Sequence, residues 1–432
     1  MTQVFTNWAG VESCTPSEYL RPHTTEEVQA AVTAAGKAGR AVRAVGAGHS
    51  FTSTAMTDGT LLSLENMNRV LDVDTSSGLT RVEAGITLHD LNHRLAEHGL
   101  ALENLGDVDV QSIAGATQTG THGTGAGLRN LSASIESLEI VSGDGSVVEV
   151  SAESDPNDWR AARVGLGALG IVTAATLRLA PSFVLHGVDR PSTMAEVLDG
   201  MDRLAAGNDH FEFYLFPHSD RVQTRVNNRT ERPAKPRTRV AEWLNDIVLL
   251  NRAFGLTQGV AKRFPSRIPA VNRFVARAWG TSERFDVSYR IFASPRLVRF
   301  VEMEYAIPRP HAREAITAVH ALASSGRFDV SFPIEVRFVA PDDALLSPAW
   351  GRETCYIAVH IYRGMEWEPY FRAVEEIMDS FDGRPHWGKR HFQTAATLAP
   401  RYEGFERFLA VRDRFDPGRR FANPYLEAVL GP

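Results

Sequence analysis

The chain has 432 residues, of which 43% are hydrophobic and 23% charged, with a formal net charge of −6. That is enough chain for two cores, and the charge balance excludes the basic footprint of a nucleic-acid-binding protein. Its two cysteines, Cys14 and Cys355, form no CxxC or metal pattern and call for no oxidising compartment. No apolar run approaches the ~20 residues of a membrane-spanning helix, and no apolar leader follows Met1-Thr2-Gln3, so a cytoplasmic enzyme is expected.

Thr24 and Glu27 fit a capping box, and Val28, Ala31, Val32 and Ala35 give the helix behind it an apolar face. Gly36 and Gly39 end that helix. The alternating run Ala41–Val45 then leads into Gly46-Ala47-Gly48-His49-Ser50-Phe51. Its glycines allow a tight turn that can face a phosphate with bare N–H groups. It is not a dinucleotide fingerprint, because the third glycine of that motif would fall at Phe51. Short strands are expected at 60–64, 70–73 and 80–84, and a helix over 87–97 that buries Leu88, Leu91 and Leu95. This alternation of short units reads as α+β. His89 and His93 share a zinc-capable spacing, but both point away from the leucine face and read as a solvated pair.

Residues 112–125 are nearly free of charge and rich in Gly and Thr. Such a run can bring backbone and hydroxyls close to a polar ligand. Gly165-Leu166-Gly167-Ala168-Leu169-Gly170 matches G-x-G-x-x-G literally. However, it precedes a strand pattern, whereas the dinucleotide motif follows a strand and opens a helix. Near Ala180-Pro181 the strands lengthen, which sets a domain boundary there. Residues 225–240 are polar and proline-containing, as in a loop. From Ile247 to Gly280 the chain carries Arg252, Lys262, Arg263, Arg267, Arg273 and Arg277 and no acid. The expectation is irregular helix with a solvated basic face; docking to an anionic membrane or an electron acceptor is the alternative.

Three later segments concentrate chemistry. In Phe332–Phe338, alternation places Ile334, Val336 and Phe338 on one face and Glu335 and Arg337 on the other. In Cys355–Tyr362, Tyr356, His360 and Tyr362 oppose Ile357, Val359 and Ile361. Pro385–His391 gathers cations and aromatics in seven residues.

The loop Val45–Phe51 resembles the flavin-attachment loop of the vanillyl-alcohol-oxidase family, in the branch of sugar-lactone and alditol oxidoreductases related to D-arabinono-1,4-lactone oxidase. The likeness runs from Asn7-Trp8 to Asp416-Pro417 and Asn423. It implies a two-domain FAD-binding fold with an inserted antiparallel-sheet cap: an FAD domain at 1–180, a cap at 181–405 and a returning segment at 406–432. It also implies FAD joined covalently through His49, with Gly46, Ala47, Gly48 and Ser50 around the pyrophosphate. Ser112, Gly115, Thr119, His122 and Gly123 match the second FAD segment, Val172 matches a backbone contact near the adenine, and Gly106, Asp107 and Asn423 complete the cofactor set.

Glu335, Arg337, His360 and Lys389 match the residues placed above the flavin, with no metal. On this reading Arg337 and Lys389 supply positive charge, Glu335 binds a substrate hydroxyl and His360 is the base. Alditol oxidases of the branch carry Ser at the Asp107 position and Thr at the His360 position. The runs Glu103–Asp109, Met303–Arg309 and Gly388–His391 instead resemble the bacterial aldonolactone enzymes. The expected reaction is oxidation of L-gulono-1,4-lactone at C2 to the ketolactone that tautomerises to L-ascorbate; an alditol oxidase or a non-catalytic flavin- or sugar-binding protein are the alternatives. Gly106 stands where relatives carry a small residue gating oxygen. The acceptor is therefore open between O2 and a cytochrome or quinone-like carrier, and the likeness favours the carrier.

Overall fold

The computed structural model describes residues 3–432. In the N-terminal half, Glu18–Leu20, Thr60–Ser63 and Val42–Val45 form a parallel sheet, with the helix Thr25–Lys37 against it. Thr24 caps that helix by accepting from the Glu27 amide, and Val28, Val32 and Ala35 are fully buried. A five-stranded antiparallel sheet runs in the order 147–151, 135–141, 171–178, 79–83, 70–74. The helix Leu88–Glu97 buries Leu88, Leu91 and Leu95. His89 and His93 stay exposed, with ring centroids 4.7 Å apart.

The second half is built on an eight-stranded antiparallel sheet. Its central strands are Arg221–Thr230, His210–Leu215, Ile334–Val339, Thr354–Tyr362 and Phe300–Pro308. One face is apolar. Phe213, Val336, Phe338, Ile357, Val359, Met303 and Tyr305 pack there beneath the helices Met194–Ala206, Ala312–Ala323 and Glu368–Asp379. The other face is charged, and register decides which charges meet. Tyr214 lies opposite Glu335, Glu335 opposite Ala358, and Ala358 opposite Glu304. One step along, Glu212 faces Arg337, and Glu302 faces His360. The segment after residue 104 crosses this face: Gly125 donates to the Phe338 carbonyl and Thr124 to that of Phe211.

The strand Ala180–Pro181 still pairs with Leu100–Ala101, and the cap sheet begins at Val184. The chain also returns to the N-terminal core well before 406, because Trp387, Leu398, Tyr402 and Phe405 are buried in it. Trp387 is held there by a bond of 2.6 Å from its indole N–H to the Leu346 carbonyl. These apolar residues lie inside stretches otherwise marked by cations, where the sequence shows no break.

Candidate active site

Two connected hollows meet at His49. The narrower, with about 120 Å³ of free space, lies within the N-terminal half and is walled by the 46–50 loop, Ser112, Gly115, Thr119, Gly170 and Val172. The wider, about 680 Å³, opens between the two halves. His49, Ser50, Gln111 and Thr119 line both.

The narrow cleft is made of backbone. Gly48 has φ +69°, which favours glycine. A Cβ at Gly46 would fall 2.1 Å from Ser112 Oγ, so the loop can lie here only without a side chain. The amides of Ala47, Gly48, His49 and Ser50 donate to no acceptor among the described residues. Successive unpaired amides in a tight turn form an anion-binding concavity. The cradle therefore fits the pyrophosphate of a dinucleotide. Within residues 112–125, Ile113–Gln118 is a short helix capped by Ser112, which accepts from the Gly115 amide. Its small residues made the helical period invisible. The decoy glycines do border the cleft, at Gly167 and Gly170, and the Leu166 and Gly167 carbonyls accept from buried Arg43.

His49 stacks on Trp8 with centroids 5.1 Å apart. Burial, reinforced by Lys389, pulls its imidazole down to about 4, so it is neutral at neutral pH. Asn423 acts at one remove. It caps the helix Pro424–Leu430 and donates to the Ser53, Thr54 and Met56 carbonyls, fixing the loop beyond His49. Gly123 is also structural, since a Cβ there would sit 2.2 Å from Asn104 Oδ1.

Gly106, Asp107 and His122 line the wide cavity rather than the narrow cleft. Asp107 is locked between Arg337 and Arg296. Burial pushes its carboxyl up, but Arg337, Arg296 and Arg225 outweigh that and hold it well below the usual range. Arg337 also contacts Glu335 at 2.5 Å and Glu212 at 3.0 Å. Tyr214 donates to Glu212 at 2.8 Å and to Glu335 at 3.3 Å. Glu335 is the exception in this network. Burial raises it, Arg337 only partly offsets this, and Asp107 and Glu212 raise it further, to about 7.

A second network borders the first. Glu302 binds Lys389 and faces His360 Nε2 at 3.4 Å, while His360 Nδ1 faces the Pro333 carbonyl at 3.4 Å. Burial works against the Glu302 carboxylate, but Lys389 and then His360 hold it down to about 2. Glu304 pairs with His122 at 3.3 Å, and His122 stacks on Tyr356. Burial takes His386 down to about 3 despite Glu304 beside it. The four expected cap residues, Glu335, Arg337, His360 and Lys389, all line this cavity. Sequence reasoning missed Trp8, Glu212, Tyr214, Arg296, Glu302, Glu304 and His386. Alternation through Phe300–Pro308, with acids at 302 and 304 between Val301, Met303 and Tyr305, was the available clue.

A family model described as an FAD binding domain matches residues 16–151. One described as D-arabinono-1,4-lactone oxidase matches residues 175–429. The chain belongs to the D-arabinono-1,4-lactone oxidase family. It is an FAD-dependent oxidoreductase. It is 49% identical to the L-gulono-1,4-lactone dehydrogenase of Mycobacterium tuberculosis, with both chains covered in full. It is 36% identical to the L-gulonolactone oxidase of Bos taurus over 99% of this chain and 98% of that one. It is 34% identical to an alditol oxidase of Streptomyces over the whole of both. In fold it is similar to a cholesterol oxidase of B. sterolicum, with TM-score 0.80 at 16% identity over 100% of this chain and 97% of that one.

Proposed function

We propose that this family member oxidises an aldonolactone, L-gulono-1,4-lactone, at C2, with the wide cavity as its substrate site. The observation that carries this is the buried Glu335–Arg337 pair, which with Lys389 faces the same cavity as His49. The 49% identity to a gulonolactone dehydrogenase, against 34% to an alditol oxidase, supports a lactone over a linear polyol. Bound FAD supplies the electron-accepting ring.

Everything else in the reaction falls to the chain. Arg337 and Lys389 direct positive charge to where negative charge develops. The hydroxyl being oxidised must lose a proton. The sequence assigned that to His360, but both its ring nitrogens face protein acceptors. Glu335 suits the role better. Its Oε1 is held by Arg337 and Tyr214, and its carboxyl titrates near 7. His360 then orients Glu302 and Lys389. A neutral His49 beside the cleft has a ring nitrogen available for a covalent bond to the flavin. The 49% identity to an enzyme named a dehydrogenase, against 36% to one named an oxidase, supports a carrier other than O2 as electron acceptor. The free thiols Cys14 and Cys355 suit a reducing cytoplasm.

Turnover of L-gulono-1,4-lactone, xylitol and sorbitol, each with a dye acceptor and with O2, tests the assignment. Lactone oxidation faster with the dye is expected. Peroxide release with xylitol would select an alditol oxidase instead.

A further inference from the structure

The acid-free basic stretch folds as a helical segment, Trp243–Ala253, followed by the helices Phe254–Arg263 and Ile268–Ala278. Their inward sides mix Gln258 and Asn272 with the apolar Ala261, Ile268 and Ala276. A surface helix normally buries its apolar stripe and exposes its polar one. Here the inward positions include Gln258 and Asn272, which donate to the Ser331 and Val330 carbonyls. The outward positions carry Leu256 (74% exposed), Val260, Phe264 and Phe274 (64%). Leu256, Val260 and Arg263 fall at i, i+4 and i+7, on one helical face, and the exposed Phe264 follows directly at the helix end. Of the thirteen exposed large apolar residues among those described, seven lie between Val240 and Phe274. Single exposed apolar residues need no explanation, but a concentration of this kind does.

We propose that this surface docks the enzyme on an anionic lipid bilayer. Exposed apolar side chains interspersed along the chain with cations, together with a half-exposed Trp243, are the composition of an interfacial segment. Over 240–280 six cations outnumber two acids, Glu242 and Asp246, a balance that matches negative headgroups. A second copy of the chain is the poorer occupant, because it would set six cations against six across the pair. No helix among the described residues is long and apolar enough to cross a membrane, so the contact is with its surface. Phe254, Phe274, Val275 and Ala278 of the same segment line the wide cavity, so docking brings the mouth of that cavity to the bilayer.

Flotation of the flavin-loaded enzyme with phosphatidylcholine vesicles, with and without phosphatidylglycerol, tests this. Binding is expected only with phosphatidylglycerol, falling as salt is added. The Leu256→Ser/Phe264→Ser double variant should lose about tenfold or more in partitioning. Each of Arg263→Glu and Arg267→Glu should lose at least about fivefold. Turnover with a soluble dye should be unchanged in all three, which shows that they fold. Binding independent of headgroup charge, no binding to either vesicle, or variants that bind as well as the parent would overturn the proposal. So would dimerisation through this surface, seen as a concentration-dependent mass that the double variant abolishes.

Discussion

The two hollows that meet at His49 are built on opposite principles. The narrow cleft is lined by glycines, hydroxyls and free amides, and its geometry is set by what is missing: a Cβ at Gly46, a negative φ at Gly48. The wide cavity is lined by charged side chains from strands of the cap sheet and from the segments that carry Asp107, Arg296 and Lys389, most of them held by a partner of opposite charge. The first binds through backbone, which tolerates no bulk. The second acts through charge, which tolerates no unpaired neighbour. A substitution should therefore damage the cleft by adding atoms and the cavity by removing charge.

The largest effect should follow Arg337→Ala. It leaves Asp107, Glu212 and Glu335 facing one another without their shared cation. Turnover should fall by about 10²–10³ or more, and stability by about 3–5 kcal/mol. Arg337→Lys should recover part of the stability and little of the rate, because an ammonium cannot span three carboxylates. Paired measurements of kcat and denaturant melts would check both.

Glu335→Gln should come next, with kcat down about 10²-fold or more. The parent rate should climb as pH rises through about 7, when the carboxylate forms, and the variant should lose that step. The same shift has a stability consequence. The folded value lies above the ordinary 4.5, so the stability Glu335 contributes is full below about 4.5 and is lost as pH rises through about 7. Thermal melts of parent and variant should match at the acid end of that window, where the protonated carboxyl resembles the amide, and separate at the alkaline end, where the parent becomes the less stable.

On the cleft side, Gly46→Ala should lower the flavin content of the purified protein while leaving the cap ion pairs intact. The new methyl meets Ser112 Oγ at 2.1 Å, and trimming the obstacle with Ser112→Gly should restore part of the flavin. The visible absorbance ratio reads this out. Smallest of all, Asn423→Ala should cost about 1–2 kcal/mol through the lost helix cap and loosened 53–56 loop, with kcat nearly unchanged.

The same contrast explains what the sequence made legible. The cleft is contiguous: residues 46–50 and 112–119 carry their function in local composition, and the structure puts them side by side. The cavity depends on strand register. Alternation showed that Glu335 and Arg337 share a face, but not that Tyr214 and Glu212 lie opposite them, nor that Glu302 binds Lys389 across 87 positions. Asp107 was visible as an acid in a loop. Its pairing with Arg296 and Arg337 exists only once the loop crosses the sheet. The 247–280 stretch announced its charge, but the buried Gln258 and Asn272 and the exposed Leu256, Val260 and Phe274 needed the structure.

The most direct test is anaerobic mixing of the flavin-loaded enzyme with substrate while the oxidised flavin absorbance near 450 nm is followed (roughly the ordinary flavin band, used as a probe of two-electron transfer to the cofactor). L-gulono-1,4-lactone should bleach it rapidly, xylitol slowly or not at all, and Glu335→Gln should bleach slowly with either. Rapid bleaching by xylitol with none by the lactone would contradict the account, as would a Glu335→Gln enzyme that bleaches as fast as the parent.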